Sequence, residues 1–365
     1  MDKKRVLIVD DSAFMRKLIS EFLSTHPKLE VAGTARNGKD ALEKALRLQP
    51  DVITMDVEMP EMNGLEALEC MMKKHPVPVV MLSSLTKEGA SQTLAAMDKG
   101  AVDFVAKPSG TISLDLHKIK AELITKVLAA SQVNIRSIQP SVRPYIQKKV
   151  FTQLGAGMNT INLRDKGLDI KLKEADKKIV LIGTSTGGPR ALQQVLTNLP
   201  ADLQAPVLVV QHMPRGFTKS LAERLNSLAA IHIKEAENGE ILQKGVAYIA
   251  PGDCHLSIEK VGVYLAAKLD QSPPVNGHRP SVDYLFESVS KLLDYHKLAI
   301  IMTGMGSDGV TGLIKLKENG NVRIIAESKE SCVVFGMPKA AIATRLVDEV
   351  QPVDQIAEAI LKYLL

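Results

Sequence analysis

No stretch of this chain reaches the roughly 20 consecutive apolar residues that a membrane-spanning helix requires, so insertion through such a helix is excluded. Cysteine is scarce. Cys70, Cys254 and Cys332 are scattered, odd in number and without metal-ligand spacing, which sets aside a disulfide framework and a cysteine-ligated metal. Met1-Asp-Lys-Lys-Arg5 leads directly into a strand-like run at 6–9 with no signal-peptide core, so a reducing cytoplasm is expected. Charge of one sign is also in short supply: the net charge is +5 over 365 residues, much of it between Arg136 and Lys178. That stripe reads as a solvated linker before it reads as a nucleic-acid surface, and the pattern after 177 offers no helix-turn-helix. What is present, 45% hydrophobic and 24% charged residues, describes a globular chain long enough for two domains and a connection.

Apolar runs alternate with amphipathic segments twice along the chain. Strands are predicted at 5–9, 52–55, 77–82 and 101–105, with a helix at 14–23. Regularity fails from about 131 to 175, where Pro140, Pro144 and several glycines punctuate a basic linker with a helical piece near 145–154. Beyond 177, strands are predicted at 179–183, 207–211, 246–250, 298–303 and 322–326. Helices are predicted near 189–198, 216–228, 281–294, 309–319 and 353–364, and a hairpin at 255–269. Alternation at this pitch implies βα units and parallel sheets. The expected domains are 1–125 and 177–365, joined by a linker at 126–176.

In the first domain Asp10 and Asp11 follow one apolar run and Asp56 follows another. The carboxyl ends of parallel strands share an edge, so the three carboxylates converge there. Their repulsion calls for a hard divalent cation, and Mg²⁺ fits. Ser83 and Lys107 end the next two strands and add a hydroxyl and a cation, a set able to accept a phosphoryl group on Asp56. Taken singly, Asp10 or Asp11 reads as a helix cap and Lys107 as a surface lysine; the convergence of all five favours function. The spacing of Asp10-Asp11, Asp56, Ser83 and Lys107-Pro108 resembles that of response-regulator receiver domains. The resemblance implies that Asp56 takes phosphate from a histidine kinase, that Asp10 and Asp11 help bind Mg²⁺, and that Phe104 is the aromatic switch position.

The second domain opens with four apolar residues followed by Gly183-Thr-Ser185-Thr-Gly187-Gly188-Pro189. This reads as a buried strand, a sharp glycine turn and a helix starting at proline. Such a turn raises one side chain among backbone N–H groups, to act as a nucleophile or to cradle a phosphate. A dinucleotide site needs an acidic residue about 20 positions on, at the end of the next strand. Here that strand ends in Gln211-His212, and no G-x-x-x-x-G-K-[ST] follows either. Gly183-Thr-Ser185-Thr-Gly187 instead matches G-x-S-x-G. His212 and Asp308 each fall just past a predicted strand, so serine, histidine and aspartate rise from one sheet edge as acyl transfer requires. Backbone N–H groups near Thr186 and Met305 are candidate oxyanion donors. An anion-binding domain without catalysis is the competing reading, and Ser185→Ala separates the two.

Gly183-Thr-Ser-Thr-Gly-Gly-Pro-Arg190, Gln211-His-Met-Pro-Arg-Gly-Phe-Thr218, Thr303-Gly-Met-Gly-Ser-Asp-Gly309 and His278-Arg-Pro-Ser-Val-Asp283 closely resemble the chemotaxis receptor methylesterase family of CheB type. The resemblance spans essentially the whole chain. It implies an α/β protein with two doubly wound parallel-sheet domains, a flavodoxin-like receiver and a Rossmann-like esterase domain with a β-hairpin insertion. It further implies hydrolysis of glutamyl methyl esters on methyl-accepting chemoreceptors, releasing methanol, often with deamidation of receptor glutamines. Ser185 would be the nucleophile, His212 the base and acid, Asp308 its orienter, and Met305 a part of the oxyanion site. Arg279 and Ser281 would contact receptor helices or pack within the domain. Mg²⁺ would serve receiver phosphorylation and no cofactor the esterase chemistry, in a cytoplasmic protein recruited to receptor arrays.

Overall fold

A computed structural model describes residues 3–107, 113–133 and 177–364. The first domain contains β1 (Lys4–Val9), α1 (Ala13–Ser24), β2 (Leu29–Ala35), α2 (Gly38–Leu48), β3 (Val52–Asp56), α3 (Gly64–Lys74), β4 (Val79–Ser83), α4 (Lys87–Asp98), β5 (Asp103–Ala106) and α5 (Ser113–Ala130). Its five strands are parallel in the order β2-β1-β3-β4-β5. The order reverses between β1 and β3, and a crevice opens at that point beyond the strand ends. Every residue of β3 and β4 is buried, as expected of strands covered by helices on both faces. The expected boundary at 125 falls inside α5, which runs on to Ala130. The helical piece expected near 145–154 lies outside the described residues.

The second domain comprises β6 (Lys178–Thr184), α6 (Gly188–Leu196), β7 (Val207–Gln211), α7 (Phe217–Leu228), β8 (His232–Glu235), β9 (Val246–Ile249), β10 (His255–Val261), β11 (Tyr264–Asp270), α8 (Val282–Ser290), β12 (His296–Ile301), α9 (Val310–Glu318), β13 (Val322–Glu327), α10 (Met337–Ala343), β14 (Glu349–Gln351) and α11 (Val353–Leu364). Seven of these strands form one parallel sheet in the order β14-β13-β12-β6-β7-β9-β8. The other two, β10 and β11, make an antiparallel hairpin that packs on α8, matching the predicted insertion. β6 is the switch strand, with β12 on one side and β7 on the other, so three chain segments meet beyond its end. Gly187, at φ +79°, lets β6 turn abruptly into α6, and a Cβ there would lie 2.5 Å from the Val333 Cβ.

A single apolar cluster runs from the first domain into the second, including Leu94, Met97 and Phe104 on one side and Phe217 and Leu221 on the other. Helices α4 and α7 form the centre of this contact. No helix among the described residues is long and apolar enough to cross a membrane.

Candidate active site

Thr184 closes β6 and pairs in register with Gln211, the last residue of β7. The residues that follow each, Ser185 and His212, are therefore neighbours by construction of the sheet. A backbone bond from His212 N–H to the Thr184 carbonyl, 3.1 Å, holds the two turns together. On the other flank, Ser185 N–H donates to the Thr303 carbonyl at 3.0 Å, beyond the end of β12. Among the described residues the backbone N–H groups of Thr186 and Met305 have no hydrogen-bond partner. Met305 itself is exposed, on the rim of the turn beyond β12.

Asp308 lies on the loop between β12 and α9 and is buried. His212 Nε2 donates to its Oδ2 at 2.7 Å, and Val282 N–H reaches the same oxygen at 2.7 Å. Ser281 Oγ and Asp283 N–H donate to Oδ1 at 2.8 and 3.1 Å. Burial raises the proton affinity of this carboxyl, but the His212 contact and the two backbone N–H groups prevail and hold it well below the usual carboxylate range. The opposite ring nitrogen, His212 Nδ1, is buried with no partner among the described residues. The His278 ring stacks on that of His212 with centroids 3.9 Å apart, and burial followed by repulsion from His212 lowers its pKa to about 4. Ser281 is fully buried and faces Asp308. Arg279 is tied to Asp253 and to the Gln271 and Ser272 carbonyls, the latter at 2.8 and 3.0 Å.

The acidic cluster of the first domain assembles at its own switch point. Carboxylate oxygens of Asp10, Asp11 and Asp56 lie within 4.8 Å of one another. Lys107 Nζ reaches Asp56 at 2.6 Å and Asp10 at 2.9 Å. One ammonium among three carboxylates leaves negative charge in excess; burial first, with Asp10 adding to it, raises Asp56 to about 6 despite the lysine. That deficit of positive charge, together with a purely oxygen donor set, is consistent with Mg²⁺. Ser83 Oγ donates to the Gly89 carbonyl at 3.0 Å, at the start of α4.

Two predicted residues, Phe104 and Thr186, each make a contact across the domains. The Phe104 ring is buried and stacks on Phe217 of α7, centroids 4.6 Å apart. Thr186 Oγ1 donates to Asp103 Oδ2, so β5 touches the residue next to Ser185. Asp103 also pairs with Lys126 of α5 at 3.3 Å. Arg224 of α7 pairs with Asp98 of α4 at the rim. Spacing alone assigns no role to Gln211, Asp103 or Phe217. The only signal for the first two is a polar residue within or closing an otherwise apolar strand.

A family model described as CheB methylesterase matches residues 180–360, and one described as response regulator receiver domain matches residues 6–119. A protein-glutamate methylesterase/protein-glutamine glutaminase of Geobacillus kaustophilus is 57% identical over 366 residues, covering 99% of this chain and 98% of the relative. Its namesake in Bacillus subtilis is 51% identical, covering 98% and 97%. The crystal structure of the Thermotoga maritima CheB methylesterase catalytic domain aligns with a TM-score of 0.50 at 46% identity, covering 52% of this chain and 99% of that one.

Proposed function

The chain belongs to the CheB methylesterase family, and from that premise we propose that it hydrolyses glutamyl methyl esters on chemotaxis receptors through Ser185, His212 and Asp308, under the control of phosphate on Asp56. The observation that carries the catalytic half is the orientation of the His212 ring. With Nε2 engaged by ionised Asp308, the unpartnered Nδ1 is the nitrogen left for the neighbouring serine. His212 Nδ1 takes the Ser185 proton as Oγ attacks the ester carbonyl, and Asp308 balances the imidazolium. The tetrahedral oxyanion receives the free N–H groups of Thr186 and Met305. Collapse expels methanol with the proton from His212, and water completes hydrolysis of the acyl-serine by the same base. A glutamine side chain enters the same sequence with ammonia as the leaving group, in keeping with the second activity in the relatives' names.

Residues 1–125 act as the regulatory unit, 177–365 as the catalytic one and 126–176 as the link. The contacts of Asp103 with Thr186 and of Phe104 with Phe217 set the unphosphorylated receiver against the Ser185 face, where it obstructs a bulky receptor helix. Asp10, Asp11 and Asp56 would hold Mg²⁺, which supplies charge neutralisation for the phosphoryl group coming from a chemotaxis histidine kinase. Lys107 and Ser83 then turn toward the acyl phosphate, and the β4–β5 end carries that change to Phe104 and Asp103. The protein works in the cytoplasm at receptor arrays.

Methanol release from methylated receptors tests the catalytic reading. Ser185→Ala is expected to lower it roughly 10⁴-fold or more. Retention of a native rate by that variant removes Ser185 from the chemistry.

A further inference from the structure

Gln211 is buried at the end of β7, and its side-chain amide is fully engaged. Oε1 accepts from Thr184 Oγ1 at 2.7 Å, while Nε2 donates to the Ser185 carbonyl at 2.9 Å and to the His212 carbonyl at 3.1 Å. One planar group thus joins the residue before the serine, the serine and the histidine. The chain makes room for it: a Cβ on Gly188 would lie 1.8 Å from Gln211 Oε1. The backbone joins the same two turns through the His212 N–H to Thr184 carbonyl bond.

We propose that Gln211 is a positioning residue for the esterase reaction, setting the separation and facing of Ser185 and His212. The inference rests on the reading of those two as nucleophile and base. An amide is the group that does this, because the arrangement needs one acceptor and two donors on a single plane. A glutamate of the same shape, when ionised, presents oxygen to two carbonyl oxygens and drives the turns apart. When protonated it regains one donor. Displacement of a reacting pair by about 1 Å costs roughly 10²-fold in rate, so the arrangement has a large effect without touching substrate.

The experiment compares Gln211→Glu, Thr184→Val and Ser185→Ala in the full-length protein, following methanol release from methylated receptor fragments from weakly alkaline to weakly acidic pH. Gln211→Glu is expected to lose about 10²-fold in kcat at alkaline pH with KM unchanged. Its rate relative to that of the native protein should recover several-fold on mild acidification as the new carboxyl protonates. Thr184→Val keeps the volume but frees the buried Gln211 Oε1, and should lose about tenfold in kcat with an unfolding midpoint lowered by the loss of one buried hydrogen bond. A Gln211→Glu rate equal to native, or a lowered rate whose ratio to native is the same at every pH, overturns the inference, since a fixed distortion of the site lowers that ratio without making it recover on acidification. Should that variant not fold, a native kcat in Thr184→Val overturns it equally. If Ser185→Ala is inactive while Gln211→Glu is fully active, only the role of Gln211 falls. If Ser185→Ala is active, the nucleophile assignment falls instead.

Discussion

Asp308, on the loop between β12 and α9, and Asp56, the last residue of β3, are both buried carboxylates, and their surroundings push them in opposite directions. Four donors surround Asp308, including His212 and two backbone N–H groups, and keep it ionised. Asp56 has a lysine on one side and a second carboxylate on the other, and burial leaves it near 6. The consequences differ. Asp308→Asn replaces the acceptor of the His212 hydrogen bond with a neutral amide and, on the proposed mechanism, should lower kcat roughly 10⁴-fold while the fold survives. For Asp56 the sign runs the other way. Its pKa is raised in the folded state, so the folded protein binds the proton more tightly between about 4 and 6, and stability falls as pH rises through that window. Asp56→Asn should therefore stabilise the protein at neutral pH, by on the order of 1–3 kcal/mol, with little gain below pH ~4. Denaturant midpoints at the two pH values check this; an equal effect at both contradicts it. His278 has the opposite linkage, its depressed pKa costing stability as pH falls from the ordinary histidine value toward 4. His278→Phe should flatten that acid limb.

At the scale of elements, β5 connects the two chemistries. It closes beside Lys107 at the acidic cluster of the first domain, and its Asp103 touches the turn that follows Ser185. Removing that contact with Asp103→Ala should raise methanol release by the unphosphorylated protein about tenfold, the scale of one charge-assisted hydrogen bond. An unchanged basal rate would show that the contact does not restrain the enzyme. The elements carrying the candidate site were legible because several of its residues directly follow an apolar run, Asp10 after β1, Ser185 within a glycine turn after β6 and His212 after β7, whereas Asp308 lies further along the loop after β12. Other elements were not. β2 is half exposed and mixes glycine with charge, β8 is a short edge strand, and β14 has three residues, so none carries a clean alternation. Nor did spacing reveal that Ser281 serves Asp308, because that bond spans separate segments of chain and depends on the packing of α8 against α9.

At the scale of the whole molecule, the two domains share one apolar cluster rimmed by ion pairs. Pairing of Phe104 with Phe217 and of Asp98 with Arg224 could not be read from the chain, since each joins residues more than a hundred positions apart. The apolar centre gives the interdomain contact its stability, and the rim pairs set its register. Arg224→Ala should accordingly raise the unphosphorylated rate only about twofold and leave the phosphorylated rate unchanged, as a half-exposed pair at a rim contributes little. A larger effect would move the weight of the interface to its rim.

The central claim is that phosphate on Asp56 releases a serine esterase. Its most direct test is the ratio of methanol release with and without a small-molecule phosphodonor and Mg²⁺, for the native protein and for Asp56→Asn. A ratio of about tenfold or more is expected for the native protein and close to one for Asp56→Asn, whose unstimulated rate stays at the native basal level. Equal stimulation of both proteins would contradict it.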